Sequence, residues 1–344
     1  MFGKILIDRS YKVGSELGAG GTGAVYKAWH KRLQKHVVVK ENKSSSKRDI
    51  EAGRNETEAL KNVKCVHLPQ VFDFLKKGKH SYTVLEYIEG ESFDKLLDRG
   101  ERFTCSQTLK WYGQLSAALA TLHKQDICHR DIKPANIMLT PDGDVCLIDF
   151  NAALVKGSNT RITSRSLGYA SPEQLAIFDL LGSSRFDRTG NDNMYDGAAS
   201  RDVGAAPHYS AETQLLSYDS KTELVDCNSK RQGLTTVQAD GGSSVAQISG
   251  VPTTTGTYPL DGIDWKRSDI YSLGVTMRHI LTGIHPSEQV AEGSPLLLSE
   301  NLCKGVAMII EKSTRYDPAE RFASATALSE TIEQAARRHI DKHK

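Results

Sequence analysis

The sequence predicts an α+β fold in which a small β-rich region with one helix precedes a larger, mainly helical region. Three observations predict it. Short strand-like apolar runs crowd residues 11–88, clearest at Val37 to Lys40 and Tyr82 to Tyr87. Apolar residues then recur at helical spacing, at Leu109, Tyr112, Leu115, Leu119 and Leu122 and again from Trp265 to Leu281. Between these helical stretches, residues 182–262 turn rich in Gly, Ser, Thr and Asp and lose their apolar periodicity.

Element by element, residues 11–88 read as one small sheet with a helix over Arg48 to Val63, whose Leu60 and Val63 suit one buried face. Residues 89–181 and 263–340 read as the helical part, and 182–262 as an insertion expected to be largely disordered. The last stretch, Ser324 to Lys344, suits an amphipathic helix whose basic end, Arg337, Arg338, Lys342 and Lys344, complements the helix dipole.

Composition bounds the function. With 39% hydrophobic and 25% charged residues in 344, the chain can bury a full enzyme core. A net charge of +2 without basic clustering argues against a nucleic-acid partner. The six cysteines form no CxxC pair and are expected to be reduced, packed thiols. The opening MFGKILIDRSYKVG lacks the features of a signal peptide. No apolar run reaches the roughly 18–20 residues of a membrane helix, so no membrane contact within this chain and a cytoplasmic location are expected.

The chemistry begins at Gly18, Gly20 and Gly23, spaced G-x-G-x-x-G, where glycines let backbone amides approach phosphate oxygens. A dinucleotide-binding turn needs a helix directly after the third glycine. Here Ala24-Val25-Tyr26-Lys27-Ala28-Trp29 reads as a returning strand, so a flap between two strands is the better reading. Lys40 ends the strand Val37-Val38-Val39 and can reach the α and β phosphates of a nucleotide. Glu56, on the following helix, is read as its carboxylate partner. Glu58 is the rival, but it projects about 200° around the helix from Glu56, whereas Leu60 lies close to the face of Glu56.

His129-Arg130-Asp131-Ile132-Lys133-Pro134-Ala135-Asn136, followed after a short hairpin by Asp149-Phe150-Asn151, decides the reading. Phosphoryl transfer needs a carboxylate to orient the attacking hydroxyl, a cation near the γ-phosphate and oxygen ligands for magnesium, and this stretch supplies them in order. With the glycines, Lys40 and Glu56 upstream, the chain resembles the eukaryotic-type serine/threonine protein kinase family, with a bacterial look, over most of its length outside the insertion.

That resemblance implies a bilobal protein-kinase-like fold, ATP and Mg2+ as cofactors with Mn2+ as the alternative cation, and protein substrates. It implies Asp131 as catalytic base, Lys133 at the γ-phosphate, and Asn136 and Asp149 as metal ligands. Gly18, Gly20, Gly23, Val25, Lys40, Leu85, Glu86 and Ile88 become the nucleotide-binding set, with Leu85 controlling a back pocket and Glu86 to Ile88 forming the hinge. Arg130 becomes the docking point for a phosphate on the activation segment, carried by Thr160, Thr163 or Ser164. Glu173 and Arg321 become a structural ion pair, and Asp269 a support of the catalytic loop. Lys133 and Ser166 match the serine/threonine branch.

The sequence departs from the family's pattern at Asn151, where Gly is usual, and at Ser171, where Ala is usual. Asparagine tolerates positive φ, so activity is still expected. The alternatives are a nucleotide-binding scaffold without turnover and a small-molecule phosphotransferase. The insertion reads either as an inert solvated loop or as a regulatory segment that recognises a partner and carries autophosphorylation sites.

Overall fold

The computed structural model describes residues 10–20, 23–42, 46–78, 80–150, 152–155, 166, 168–177, 263–287 and 301–342. The chain divides into two units, Met1–Tyr195 with Asp264–Lys344, and Asp196–Ile263. All described residues except Ile263 belong to the first unit. The expected insertion 182–262, the candidate phosphosites Thr160, Thr163 and Ser164, and Asn151 lie outside the described residues.

Five antiparallel strands form the N-terminal sheet: β1 (Tyr11–Gly20), β2 (Gly23–His30), β3 (Lys35–Asn42), β4 (Val71–Lys77) and β5 (His80–Glu86), in the order β1-β2-β3-β5-β4. Alternation in β3 buries Val37 and Val39 against Tyr11, Ala28, Tyr82 and Val84 in a small core of its own. Lys40 stands opposite Val25 on one side and Thr83 on the other. The β1–β2 hairpin, with Gly18 opposite Val25 and Gly20 opposite Gly23, is a strand-to-strand flap and not a strand-to-helix turn.

The helix α1 (Lys47–Lys61) follows β3. Its Leu60, and Val63 just beyond, are buried in the main core with Leu68 and Val71. After β5 come β6 (Glu91–Ser92), α2 (Phe93–Asp98) and α3 (Cys105–Lys124). A reciprocal capping box starts α3: Thr104 accepts from the amide of Gln107, and the Gln107 side chain accepts from the amide of Thr104. The inner face of α3 buries Leu109, Tyr112, Leu115, Leu119 and Leu122.

Short strands then thread the catalytic region: β7 (Ile127–Cys128), β8 (Ile137–Leu139), β9 (Val145–Leu147) and β10 (Leu154–Val155). β8 pairs with β6 and β9, and β10 pairs with β7. Residues 172–177 are helical. The larger lobe closes with α4 (Trp265–Thr282), α5 (Asn301–Ser313) and α6 (Ala325–Lys342). Asp264 caps α4 by accepting from the amide of Arg267, and Gly283 ends it at φ +70°. Ile270, Leu273 and Met277 of α4 pack with α3 and with Val306, Ile310 and Leu328 into one continuous core.

Among the described residues, no helix is long and apolar enough to cross a membrane. Cys65, Cys128 and Cys146 are free thiols. Cys105, expected reduced, is instead disulfide-bonded. Sequence spacing excluded only the local CxxC type of pair, and folding brings distant cysteines together.

Candidate active site

The catalytic loop follows β7 and is fixed from beneath. Asp269, fully buried on α4, accepts the backbone amides of His129 at 2.8 Å and Arg130 at 2.7 Å, and bonds the Nε2 of His123 at 2.9 Å. Arg130 sits in the left-handed region at φ +62°. Such a backbone costs about 1–3 kcal/mol in a non-glycine residue and persists where its surroundings hold it. The carboxylate of Asp269 and the side chain of Gln174, which donates to the Arg130 carbonyl at 3.0 Å, supply that hold.

The loop presents a compact cluster. Ser166 Oγ donates to Asp131 Oδ1 at 2.5 Å, and Lys133 Nζ donates to Ser166 Oγ at 2.9 Å and lies 3.0 Å from Asp131 Oδ2. Asn136 Nδ2 bonds both the backbone carbonyl of Asp131, at 2.7 Å, and its Oδ2, at 3.0 Å. Burial alone would raise the Asp131 carboxyl, but the Ser166 hydroxyl and the adjacent Lys133 ammonium outweigh it and hold it below the usual carboxylate range. Burial also lowers His129, so its imidazole is neutral and its Nε2 donates to the carbonyl of Ile148 at 3.2 Å.

Lys40 does not bond Glu56. Its ammonium bonds Asp149 Oδ1 at 2.5 Å, an ion pair joining the small sheet to the loop after β9. Glu56 is half-buried and close enough to feel the charges of Lys40 and Arg130, while Glu58 is exposed and bonds Lys61. Burial pushes the Glu56 carboxyl up to about 8, against the lowering charges of Lys40 and Arg130. Helix-face geometry separated Glu56 from Glu58, but it carried no information about desolvation.

Asp149 is itself in the left-handed region, at φ +70°. Phe150 is buried in the main core beside the His129 ring. Asn136 and Asp149 are hard oxygen donors of the kind Mg2+ and Mn2+ take, and the Asn136 amide nitrogen is committed to Asp131, which leaves its oxygen for a cation. The residues therefore fit a divalent metal.

Arg130 Nε donates to the carbonyl of Ala152 at 2.6 Å. Its Nη1 and Nη2 are buried with no hydrogen-bond partner among the described residues. A buried guanidinium with two idle donors is costly unless an anion reaches it.

The nucleotide-binding candidates line the small sheet. Gly18 and Gly20 lie at the end of β1, and no atom comes within 4 Å of where a Gly18 Cβ would stand. Gly23 is required for a different reason: at φ +149° its Cβ would lie 1.7 Å from the Glu41 carbonyl oxygen, so β2 packs on β3 only without a side chain there. Leu85 and Glu86 end β5 opposite Val38 and Val37, and Leu85 packs partly buried against the main core. The Glu86 amide donates to the carbonyl of Gln70 at 2.8 Å, and Ile88 lies in the link that follows.

Away from the loop, Arg321 and Glu173 form a two-pronged ion pair at 2.6 and 2.9 Å. The remaining Arg321 donor capacity goes to the carbonyls of Arg315, Tyr316 and Arg267. Two contributors escaped the sequence reading, Gln174 behind Arg130 and His123 beneath Asp269. Neither carries a local motif signal, because each acts through a partner far away in the chain.

Residues 11–188, just over half of the chain, match the model of the protein kinase domain. A Clostridium acetobutylicum protein named "Probable serine/threonine-protein kinase" is 34% identical over 181 residues, which cover 51% of this chain and 27% of that protein. The serine/threonine-protein kinase PknL of Mycobacterium tuberculosis is 31% identical over 177 residues, 49% of this chain and 44% of that protein. The mouse serine/threonine-protein kinase Nek1 is 33% identical over 165 residues, 46% of this chain and 14% of that protein. The matched region thus spans less than half of each of these relatives. On the family match and the geometry of the catalytic loop, the chain belongs to the protein kinase domain family.

Proposed function

We propose that this chain transfers the γ-phosphoryl group of ATP to serine or threonine hydroxyls of proteins, with Mg2+ as the cation and Mn2+ as an alternative. Family membership implies ATP and a divalent metal in general. The observation that carries the finer reading is the Ser166 hydroxyl seated on Asp131 Oδ1, with the Lys133 ammonium touching both groups. An alcohol, a carboxylate to take its proton and a cation to meet a phosphoryl group stand together there, and serine is itself of the acceptor class.

In this reading the acceptor hydroxyl is oriented by Asp131, ionised at neutral pH because Ser166 and Lys133 lower it. Its oxygen bonds to the γ-phosphorus as the bond to the β-phosphate bridging oxygen breaks, and Asp131 takes the proton. Lys133 meets the charge on the transferring group, and Lys40 pairs with the α and β phosphates. Asn136 and Asp149 would hold the divalent cation, which neutralises phosphate charge when bound. The flap of Gly18, Gly20 and Gly23 with Val25, and the sheet edge of Leu85, Glu86 and Ile88, enclose the nucleotide. Phosphate on Thr160, Thr163 or Ser164 would satisfy the idle Arg130 donors. We place the protein in the cytoplasm, with a regulatory partner at residues 182–262.

The test is incubation of the purified chain with labelled ATP, Mg2+ and a generic protein acceptor, beside Asp149→Ala and Asp131→Asn controls. Label on Ser or Thr that vanishes in both controls is expected. ATP binding without transfer would instead favour a scaffold, and transfer only to a small alcohol would favour a small-molecule phosphotransferase.

A further inference from the structure

The small sheet has two unlike faces. On one, Ala28 of β2 packs with Val37 and Val39 of β3 in the small core. Side chains alternate along a strand, so Val25, Lys27 and Trp29 of β2 and His36, Val38 and Lys40 of β3 point the other way. That second face is the one on which Lys40 meets Asp149. Val25 and Lys40, opposite each other in register, are its proposed nucleotide contacts. Two residues further along β2 begins a group that the proposed reaction does not use.

That group is Lys27, Trp29, His36 and Tyr87. Trp29 stands opposite His36, and their rings meet edge to face at 4.9 Å. The His36 ring lies 6.0 Å from that of Tyr87, again at a steep angle. The Lys27 ammonium closes the group, 4.0 Å from the centre of the Tyr87 ring. Tyr87 follows Glu86, the last residue of β5, whose amide donates to the Gln70 carbonyl and whose carboxylate accepts from the Gln70 amide at 3.1 Å. Gln70 thus holds this stretch from the β4 side of β5. Tyr87 is held through its ring from the other side, where β3 and β2 lie. Since β2 also carries Gly23 and Val25, one strand reaches both the flap and the hinge stretch Glu86 to Ile88.

We propose that Lys27 is a positioning residue for the nucleotide base: its ammonium, seated on Tyr87, fixes the backbone of Glu86 to Ile88 at the spacing from β2 that the adenine needs. The proposal rests on the kinase reading above and deepens it. In this role Lys27 acts through Tyr87 and not on the phosphates. A cation over a tyrosine face shifts an equilibrium by roughly twofold when exposed and about thirtyfold when desolvated. Lys27 and Tyr87 are both half-buried, which places the expected effect between those limits.

The test measures, in the full chain with a generic protein acceptor, the KM for ATP and the inhibition constant of adenosine, which has the base and no phosphate. Lys27→Met should raise both constants by roughly three- to tenfold and leave kcat and the KM for the acceptor in place. Lys27→Arg should stay near wild type, because a guanidinium also sits on an aromatic face. Tyr87→Leu should raise both constants, and the Lys27→Met/Tyr87→Leu double variant should be no weaker than Tyr87→Leu alone. Neither constant depends on how much of the enzyme is folded, so a partly misfolded variant does not imitate the result. A rise for ATP without one for adenosine overturns the proposal, because it assigns Lys27 to phosphate charge. Additive losses in the double variant overturn it too, as does a Lys27→Met enzyme with wild-type constants. Each of these leaves the kinase reading standing, whereas a wild-type chain that phosphorylates no acceptor removes that reading and the proposal with it.

Discussion

Lys40 on β3 and Asp149 after β9 are joined by a 2.5 Å ion pair across 109 positions of chain, and the pair ties the small sheet to the loop after β9. Both side chains are only partly exposed, at 12% and 29%, so the pair is neither a free surface bridge nor a sealed one. Because the same ammonium serves the nucleotide phosphates in the proposed reaction, Lys40→Met should lower kcat/KM for phosphoryl transfer by about 100-fold or more. Its effect on the melting temperature should be slight, since exchange of one partly exposed pair moves stability by about 1 kcal/mol. Steady-state kinetics beside a thermal melt separates the two. A large drop in Tm with little loss of rate would assign Lys40 to structure.

Glu56 predicts a pH dependence. Its carboxyl is pushed from the ordinary 4.5 to about 8 by burial. Between those values the folded chain holds a proton that the unfolded chain has released, so this contribution to stability is complete below the lower value and is lost as pH rises through the upper one. Glu56→Gln, neutral at every pH and of the same shape, should flatten the decline between pH 5 and 8. Urea unfolding at both pH values measures it, and equal slopes in wild type and variant would contradict the assignment.

Arg130 should couple activity to phosphate. Its two Nη groups are buried without hydrogen-bond partners among the described residues while Nε is held by Ala152. Wild-type enzyme is expected to gain several-fold in rate on autophosphorylation over its phosphatase-treated form, whereas Arg130→Met should show equal rates in both states. A comparable gain in the variant would place the phosphate elsewhere.

Arg321 is the structural prediction. Its side chain is fully buried and every donor nitrogen is used. Arg321→Ala leaves Glu173 and three carbonyls without their donor, and should cost about 3–5 kcal/mol, read as a lower urea midpoint. Arg321→Lys should recover only a minor part, because an ammonium cannot reproduce the two-pronged contact.

The sequence by itself determined what is written in local spacing. The apolar run Val37-Val38-Val39 made β3 a strand carrying Lys40, although the strand runs on to Asn42 and does not end at Lys40; a helical period placed Leu60 and Val63 in the core, and the run from His129 to Asn136 carried the ingredients of phosphoryl transfer. These features survive without knowledge of the fold because each depends on neighbours a few residues away. The hairpin after Gly18 belongs here too, since a strand-like run beyond the third glycine left a turn into a helix unsupported.

Tertiary structure alone decided where the Lys40 ammonium goes. Lys40 pairs with Asp149, whose carboxylate reaches the ammonium, and not with Glu56, which stands half-buried nearby with its carboxyl raised by desolvation. Gly23 is needed for packing on Glu41, Gln174 braces Arg130 from a distant segment, and Cys105 is disulfide-bonded. Desolvation and long-range contact have no signature in a window of sequence, because both depend on what the rest of the chain places around a residue.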